Sequence, residues 1–199
     1  MILSLKTAPT SEPVSLSEAK AHLRVDGATD DGYIDALITV AREWVEAPGL
    51  NRSLITQTWY LVLDAWPIGN TITFPRPPLV SVTSVTYIDD AGVTRTLAAS
   101  NYIVDTKSEP GRLVLTSAAS WPTESLRAAA AITVEFVAGY GAAAPVPTSI
   151  KQAMLLLIGH WYENREVFVE SRFAASLTEA PYVVDALLSP HRVIPQRIA

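Results

Sequence analysis

The chain has 199 residues, of which 49% are hydrophobic and 18% charged, and it carries a formal net charge of −5. That length suffices for one sizeable core or two small ones, and the negative sign gives no general attraction to nucleic acid, because phosphate binding relies on Lys and Arg displacing counterions. The absence of cysteine excludes disulfides and thiolate metal sites and fits a reducing compartment.

Residues 1–13 contain Pro9 and Pro13 and show no period. They are expected to form an extended arm, and no basic segment precedes an apolar one as a secretory signal would require. Ser15-Leu16-Ser17-Glu18 reads as a capping box that opens a helix to about Arg24. After the polar break 26–31, Asp30 or Asp31 starts a second helix. Its Ile34, Leu37, Ile38, Ala41 and Val45 recur at helical spacing, and Pro48-Gly49 stops it.

The pattern then changes to short runs rich in β-branched and aromatic residues. Strands are expected over 54–64, 71–74, 80–88, 93–97, 102–105, 112–116 and 132–137, separated by turn signals such as Asp89-Asp90-Ala91-Gly92 and Glu109-Pro110-Gly111. Such spacing points to an antiparallel sandwich or small barrel, with a hairpin about Asp90–Gly92.

Helices return after Gly139-Tyr140-Gly141. The stretch Pro147 to Glu166 predicts one helix, with Ile150, Ala153, Met154, Leu157, Ile158 and Trp161 in a continuous apolar stripe. Leu155 and Leu156 lie outside that stripe, so a second face is apolar and calls for a second cover, such as another copy of the chain. The longest apolar run, 153–159, is far short of the ~20 residues that span a bilayer, and no membrane partner is expected. Pro181 suits the first position of a short last helix holding Val184, Leu187 and Leu188, which Pro190 ends. The tail beyond carries Arg192 and Arg197 without an acid. Helices flanking a run of strands predict an α+β chain. The expected layout is a helical core from 14–50 and 146–166 (about four helices in all), an inserted antiparallel β-domain from 51–140, and a loop, short helix and tail from 167–199.

Chemistry is sparse. His160, Glu163 and Glu166 are spaced to face one side of the long helix, but no second histidine lies nearby. Asp30-Asp31 and Asp89-Asp90 read as capping and turn residues rather than a calcium loop. No Gly-Lys-Ser/Thr follows the glycines at 139 and 141, and no Gly-x-Ser-x-Gly is present. No catalytic residue, metal site or cofactor is therefore expected. Arg76, between prolines, reads as a residue of a stiff turn. Five tryptophans are scattered through the chain; a β-sandwich module binding carbohydrate or protein, with Trp66 or Trp121 in its groove, is the rival reading. Apolar Val184, Leu187, Leu188 and Ile194 beside Arg192 and Arg197 suit either docking on a partner groove with an acidic rim or a tail folded back on the chain's own helices.

Several stretches together carry a resemblance: Val14-Ser15-Leu16-Ser17-Glu18-Ala19-Lys20-Ala21-His22-Leu23-Arg24-Val25, Leu54-Ile55-Thr56-Gln57-Thr58-Trp59, Pro75-Arg76-Pro77-Pro78-Leu79, Trp121-Pro122, Ala138-Gly139-Tyr140-Gly141, Val146-Pro147 with Ile150-Lys151-Gln152-Ala153, and His160-Trp161-Tyr162-Glu163-Asn164-Arg165-Glu166. In this order they resemble the head–tail connector (adaptor) family of tailed bacteriophages, including prophage and gene-transfer-agent members. The resemblance implies a helical connector core with an inserted β-domain and a virion structural role rather than an enzymatic one. It implies a ring, commonly dodecameric, below the portal protein. The ring would extend the DNA channel, let packaged double-stranded DNA pass without sequence-specific binding, and offer a platform to a tail-side stopper or tail-completion protein. Assembly would take place in the bacterial cytoplasm. On this reading Met154, Leu155, Leu156, Ile158 and Trp161 form the subunit seam, with Glu163 and Arg165 as inter-subunit ion pairs. Val184, Leu187, Leu188, Arg192, Ile194 and Arg197 dock to the portal.

Overall fold

The computed structural model describes residues 1–165 and 182–193. The chain divides into a β unit, residues 1–10 and 56–140, and a helical unit, residues 11–55 and 141–199. The architecture is α+β.

The β unit contains β1 (Ile2–Thr7), β2 (Gln57–Leu63), β3 (Thr71–Thr73), β4 (Leu79–Ile88), β5 (Thr94–Thr96), β6 (Tyr102–Asp105), β7 (Arg112–Leu115) and β8 (Ile132–Ala138). They form a five-stranded sheet of order β1-β2-β8-β4-β5 and a three-stranded sheet of order β3-β7-β6. Every pairing is antiparallel. The alternation that marks β8 in the sequence is an alternation of burial: Ile132, Val134, Phe136 and Ala138 point inward, while Thr133, Glu135 and Val137 are half-buried. Leu61 of β2 and Val85 of β4 meet Val134 in register. Ile72, Leu113 and Leu115 of the smaller sheet complete the same apolar cluster, so the two sheets share one core. Phe74 and Phe136 sit with ring centroids 4.9 Å apart. The β4–β5 hairpin forms as expected. The Asp89 carboxylate accepts the Val93 amide at 2.8 Å and Arg95 Nε at 3.1 Å, and Gly92 takes φ +80°.

The segment expected as an arm contains β1, at one edge of the large sheet. Leu3 pairs opposite Leu61 and packs on the core, and Lys6 binds Glu135 on the neighbouring strand but one at 2.7 Å. The two strands of this pair are separated by some fifty residues of sequence, and five of β1's six residues are exposed. Neither a local turn nor a burial pattern therefore announced it.

In the helical unit the structure places α1 (Leu16–Leu23), α2 (Asp31–Trp44), a π-helical turn (Val45–Leu50), α3 (Thr148–Glu163), α4 (Tyr182–Leu188) and a 3₁₀ turn (Ser189–His191). The capping box is complete: Ser15 Oγ accepts the Glu18 amide at 3.2 Å, and Glu18 Oε2 accepts the Ser15 amide at 2.7 Å. Ile34, Leu37, Ile38 and Ala41 of α2 meet Ile150, Ala153, Met154, Leu157 and Ile158 of α3 in the core, and Val184 and Leu188 of α4 are fully buried. Pro48 does not end α2. It has no N–H to donate to the Trp44 carbonyl, so the chain widens into a π turn that runs through the proline and closes at Asn51, in the left-handed region at φ 57°.

Candidate assembly surfaces

Two polar assemblies hold the helical unit's shape. In the first, Arg42 is 7% exposed. Its Nε donates to Glu12 at 2.8 Å and its Nη1 to Glu46 at 3.1 Å. Glu46, 6% exposed, accepts the Leu54 amide through its other oxygen at 2.7 Å, and Thr39 donates to Glu12 at 3.1 Å. The two carboxylates hold the Arg42 pKa above its ordinary value against the opposing effect of burial. The i,i+4 spacing of Arg42 and Glu46 was visible in the sequence, but only the π turn and the chain around Glu12 enclose the pair.

The second assembly closes the end of α3. Tyr162 donates its hydroxyl to Asp30 at 2.5 Å and Arg165 Nη2 donates to the same oxygen at 2.9 Å. The Arg165 guanidinium lies 4.6 Å from the Tyr33 ring centroid and 4.3 Å from that of Tyr162. These donors lower the Asp30 pKa, the tyrosine hydroxyl being the larger cause. Asp30 thus stands at the start of α2 without capping it; its carboxylate is turned to α3 instead.

The residues expected at a subunit seam separate into classes. Met154 and Ile158 are fully buried inside their own unit and offer nothing to a neighbour. Leu155, Leu156 and Trp161 are half-buried, and Glu163 is exposed. Arg165 is occupied within the chain by Asp30 and two aromatic rings. Beside the second apolar face of α3, Gly159 approaches His22 and Leu23 of α1 closely enough that an added Cβ would lie 3.4 Å from His22 Nε2.

The residues expected to dock to a portal also turn inward. Val184 and Leu188 anchor α4 on the helical core, Leu188 reaching to the backbone of Gly49. Arg192 Nε donates to the Gly49 carbonyl at 2.9 Å and its Nη2 pairs with Asp185 at 2.7 Å. The Val193 amide donates to the Leu50 carbonyl at 3.1 Å. Arg52 Nε donates to the His191 carbonyl at 2.5 Å, and Ser149 Oγ lies 2.8 Å from His191 Nε2. The π turn leaves its last carbonyls open, and the chain after α4 satisfies them. Leu187 is half-buried, while Tyr182 (87% exposed) and Val183 (55%) face outward. Ile194 and Arg197 lie outside the described residues.

Among the described residues the rival chemistries gain no site, Glu166 lying outside them. His160 is half-buried and Glu163 exposed, and among the described residues no group of three or more His, Cys, Asp or Glu is placed to hold a metal. Trp66 and Trp121 stack on each other, 4.7 Å between centroids and 8° between planes. Each covers one ring face that a sugar would need, and Trp121 Nε1 is spent on the Gly69 carbonyl at 2.6 Å. Arg76 lies 5.5 Å over the Trp59 ring with φ 62°. Among the described residues no helix is long and apolar enough to cross a membrane.

Solved structures with the same fold include proteins of gene transfer agent particles. The chain is similar to a protein in the neck of an empty gene transfer agent (GTA) particle computed with C6 symmetry, with a TM-score of 0.79. It is similar to one in the virion of a native GTA particle, at 0.73, and to one in the neck of a native GTA particle computed with C12 symmetry, at 0.72. In each case the identity is 24%, over 98% of this chain and 97% of the other. No curated protein sequence matches it. A family profile described as head completion protein matches residues 12–194, which take in the β insertion and nearly all of the helical unit. The resemblance to head–tail connectors read from the ordered motifs is thereby borne out: the chain belongs to the head completion protein family.

Proposed function

We propose that the chain is the head–tail connector (adaptor) of a tailed-phage-like particle, a structural component of the virion rather than an enzyme. Copies close into a ring, twelve in number, below the portal protein. The ring extends the DNA channel, through which packaged double-stranded DNA passes without sequence-specific binding, and presents a platform to a tail-side stopper or tail-completion protein. Assembly takes place in the bacterial cytoplasm. The observation that carries this reading is the head completion profile spanning residues 12–194. Likeness over 98% of the chain to proteins of particle necks supports it, as does a net charge of −5, which does not hold passing phosphate.

Because Val184 and Leu188 fix α4 on the helical core, portal docking is assigned to Ile194 and Arg197. Removing 194–199 is expected to leave a folded protein that no longer joins portal-bearing heads, whereas removal from 181 onward also strips Val184 and Leu188 from the core. The test is antibody labelling of purified particles by electron microscopy, with heads carrying the shortened chain beside the intact one. Label at the head–tail junction, and tailless heads from the shortened chain, support the proposal. Mature particles free of the polypeptide overturn it.

A further inference from the structure

Of the seam residues expected from the sequence, Met154, Ile158 and Arg165 are engaged inside the subunit, so other faces bear on how a ring would close. A closed ring uses two different surfaces, one on each side of the subunit. The helical unit offers two that are unlike and complementary. The first is an open groove of about 790 Å³ along α1, with Leu16, Ala21 and Val25 among its lining residues. At its rim Lys20 is tied to Asp31 at 2.6 Å, while Arg24, exposed at the left-handed end of α1, makes no ion pair among the described residues.

The second is the outward face of α2. Ile34, Leu37, Ile38 and Ala41 are buried, which at 3.6 residues per turn puts Ala36, Val40 and Glu43 on the opposite side. All three are exposed, Val40 by 49%. The exposed charges of this helix are both acidic. Asp35 makes no ion pair among the described residues, and Glu43 has only a 3.7 Å approach to Arg42 while its side chain stays 65% exposed. One surface is thus a groove whose apolar floor of Leu16, Ala21 and Val25 is edged by Ser17, Lys20, Arg24 and Asp26, and the other an apolar ridge flanked by the carboxylates of Asp35 and Glu43, the second of which approaches Arg42 at 3.7 Å. Such complementarity fixes register and rejects like faces.

We propose that the α2 ridge of one copy seats in the α1 groove of the next, with Val40 against Ala21 and Val25, and with Asp35 and Glu43 around Arg24. This inference rests on the ring proposed above and adds which faces form it. The contact is heterologous, so it repeats around the ring without using the same face twice. It also explains why α2 keeps a valine in water in the lone subunit.

The chain holds no cysteine, so introduced thiols report contacts without background. Particles carrying Ala21→Cys/Val40→Cys are treated with a short bis-maleimide and run on a denaturing gel. A ladder of multimers is expected from the double variant, only dimers from particles mixing the two single variants, and monomers from either single variant alone. Rings visible by microscopy without the ladder, or single variants that link to themselves, overturn the seam and leave the connector role standing. Particles with no ring overturn the connector role and the seam with it. A charge exchange gives an independent reading. Arg24→Glu is expected to lower incorporation into particles at least tenfold with unchanged circular dichroism, and Arg24→Glu/Asp35→Arg/Glu43→Arg to restore it. Normal incorporation of the single variant, or failure of the exchange to restore it, overturns the proposal.

Discussion

Replacing Arg42 with alanine tests the account of the helical core most directly. The guanidinium is 7% exposed and binds Glu12 and Glu46 at 2.8 and 3.1 Å. Its removal takes a charged donor from two carboxylates, one of them, Glu46, 6% exposed and also bound to the Leu54 amide. Breaking a buried pair by removing one partner costs roughly 3–5 kcal/mol. Glu12 retains 28% exposure of its side chain and can turn to water, which puts the expected loss at the lower end, about 3 kcal/mol. For a chain of this size that corresponds to a fall of roughly 6–12 °C in Tm.

Arg42→Met/Glu46→Gln, which keeps an acceptor for the Leu54 amide and removes the buried charge, should recover more than half of the stability. Urea unfolding followed by tryptophan fluorescence at pH 7 gives both values. A loss under about 1 kcal/mol would refute the reasoning.

Other consequences are open to the same kind of test. A Cβ at Gly111 would lie 2.4 Å from Leu79 Cβ, next to the backbone where no rotamer can yield; Gly111→Ala should destabilise the β unit by about 1–3 kcal/mol in urea unfolding. Ser108 and Arg112 hold the Asp105 carboxyl down from its ordinary 3.8 to about 2. Its contribution is therefore full above pH 4 and disappears as the pH falls toward 2, and Asp105→Asn should flatten acid unfolding in that window with no change at pH 7 beyond the lost ion pair. Asp30→Asn weakens both the Tyr162 and Arg165 bonds at the end of α3. It should raise amide exchange at 160–165 with little change in overall stability, because solvent screens the pair.

Local rules were legible in the chain because the forces behind them are local. The Ser15–Glu18 box, the helical spacing of Ile34 to Val45, the Asp89–Gly92 turn and the alternation of β8 each involve residues within a few positions of one another, and each appears where the sequence put it. The ordered motifs also gave the family. Pairings across long sequence distances were not legible. The strand β1 finds β2 only when the sheet assembles, and Pro48 reads as a stop until the π turn shows how the backbone avoids its missing donor. The candidate surfaces followed the same division. Sequence showed that α3 has more apolar surface than one face can hold, and that the carboxyl end has apolar residues and arginines to place. Burial of that surface depends on which helix lies opposite. The structure used Met154 and Ile158 for the core, Val184 and Leu188 to fix α4, Arg192 to cap the π turn, and Arg165 to bind Asp30. Those choices left Val40, Arg24, Asp35 and Glu43 facing outward. A hydrophobic period tells that a face must be covered, because apolar area costs free energy in water whatever lies around it; which cover is supplied from within the chain is settled only when distant segments meet.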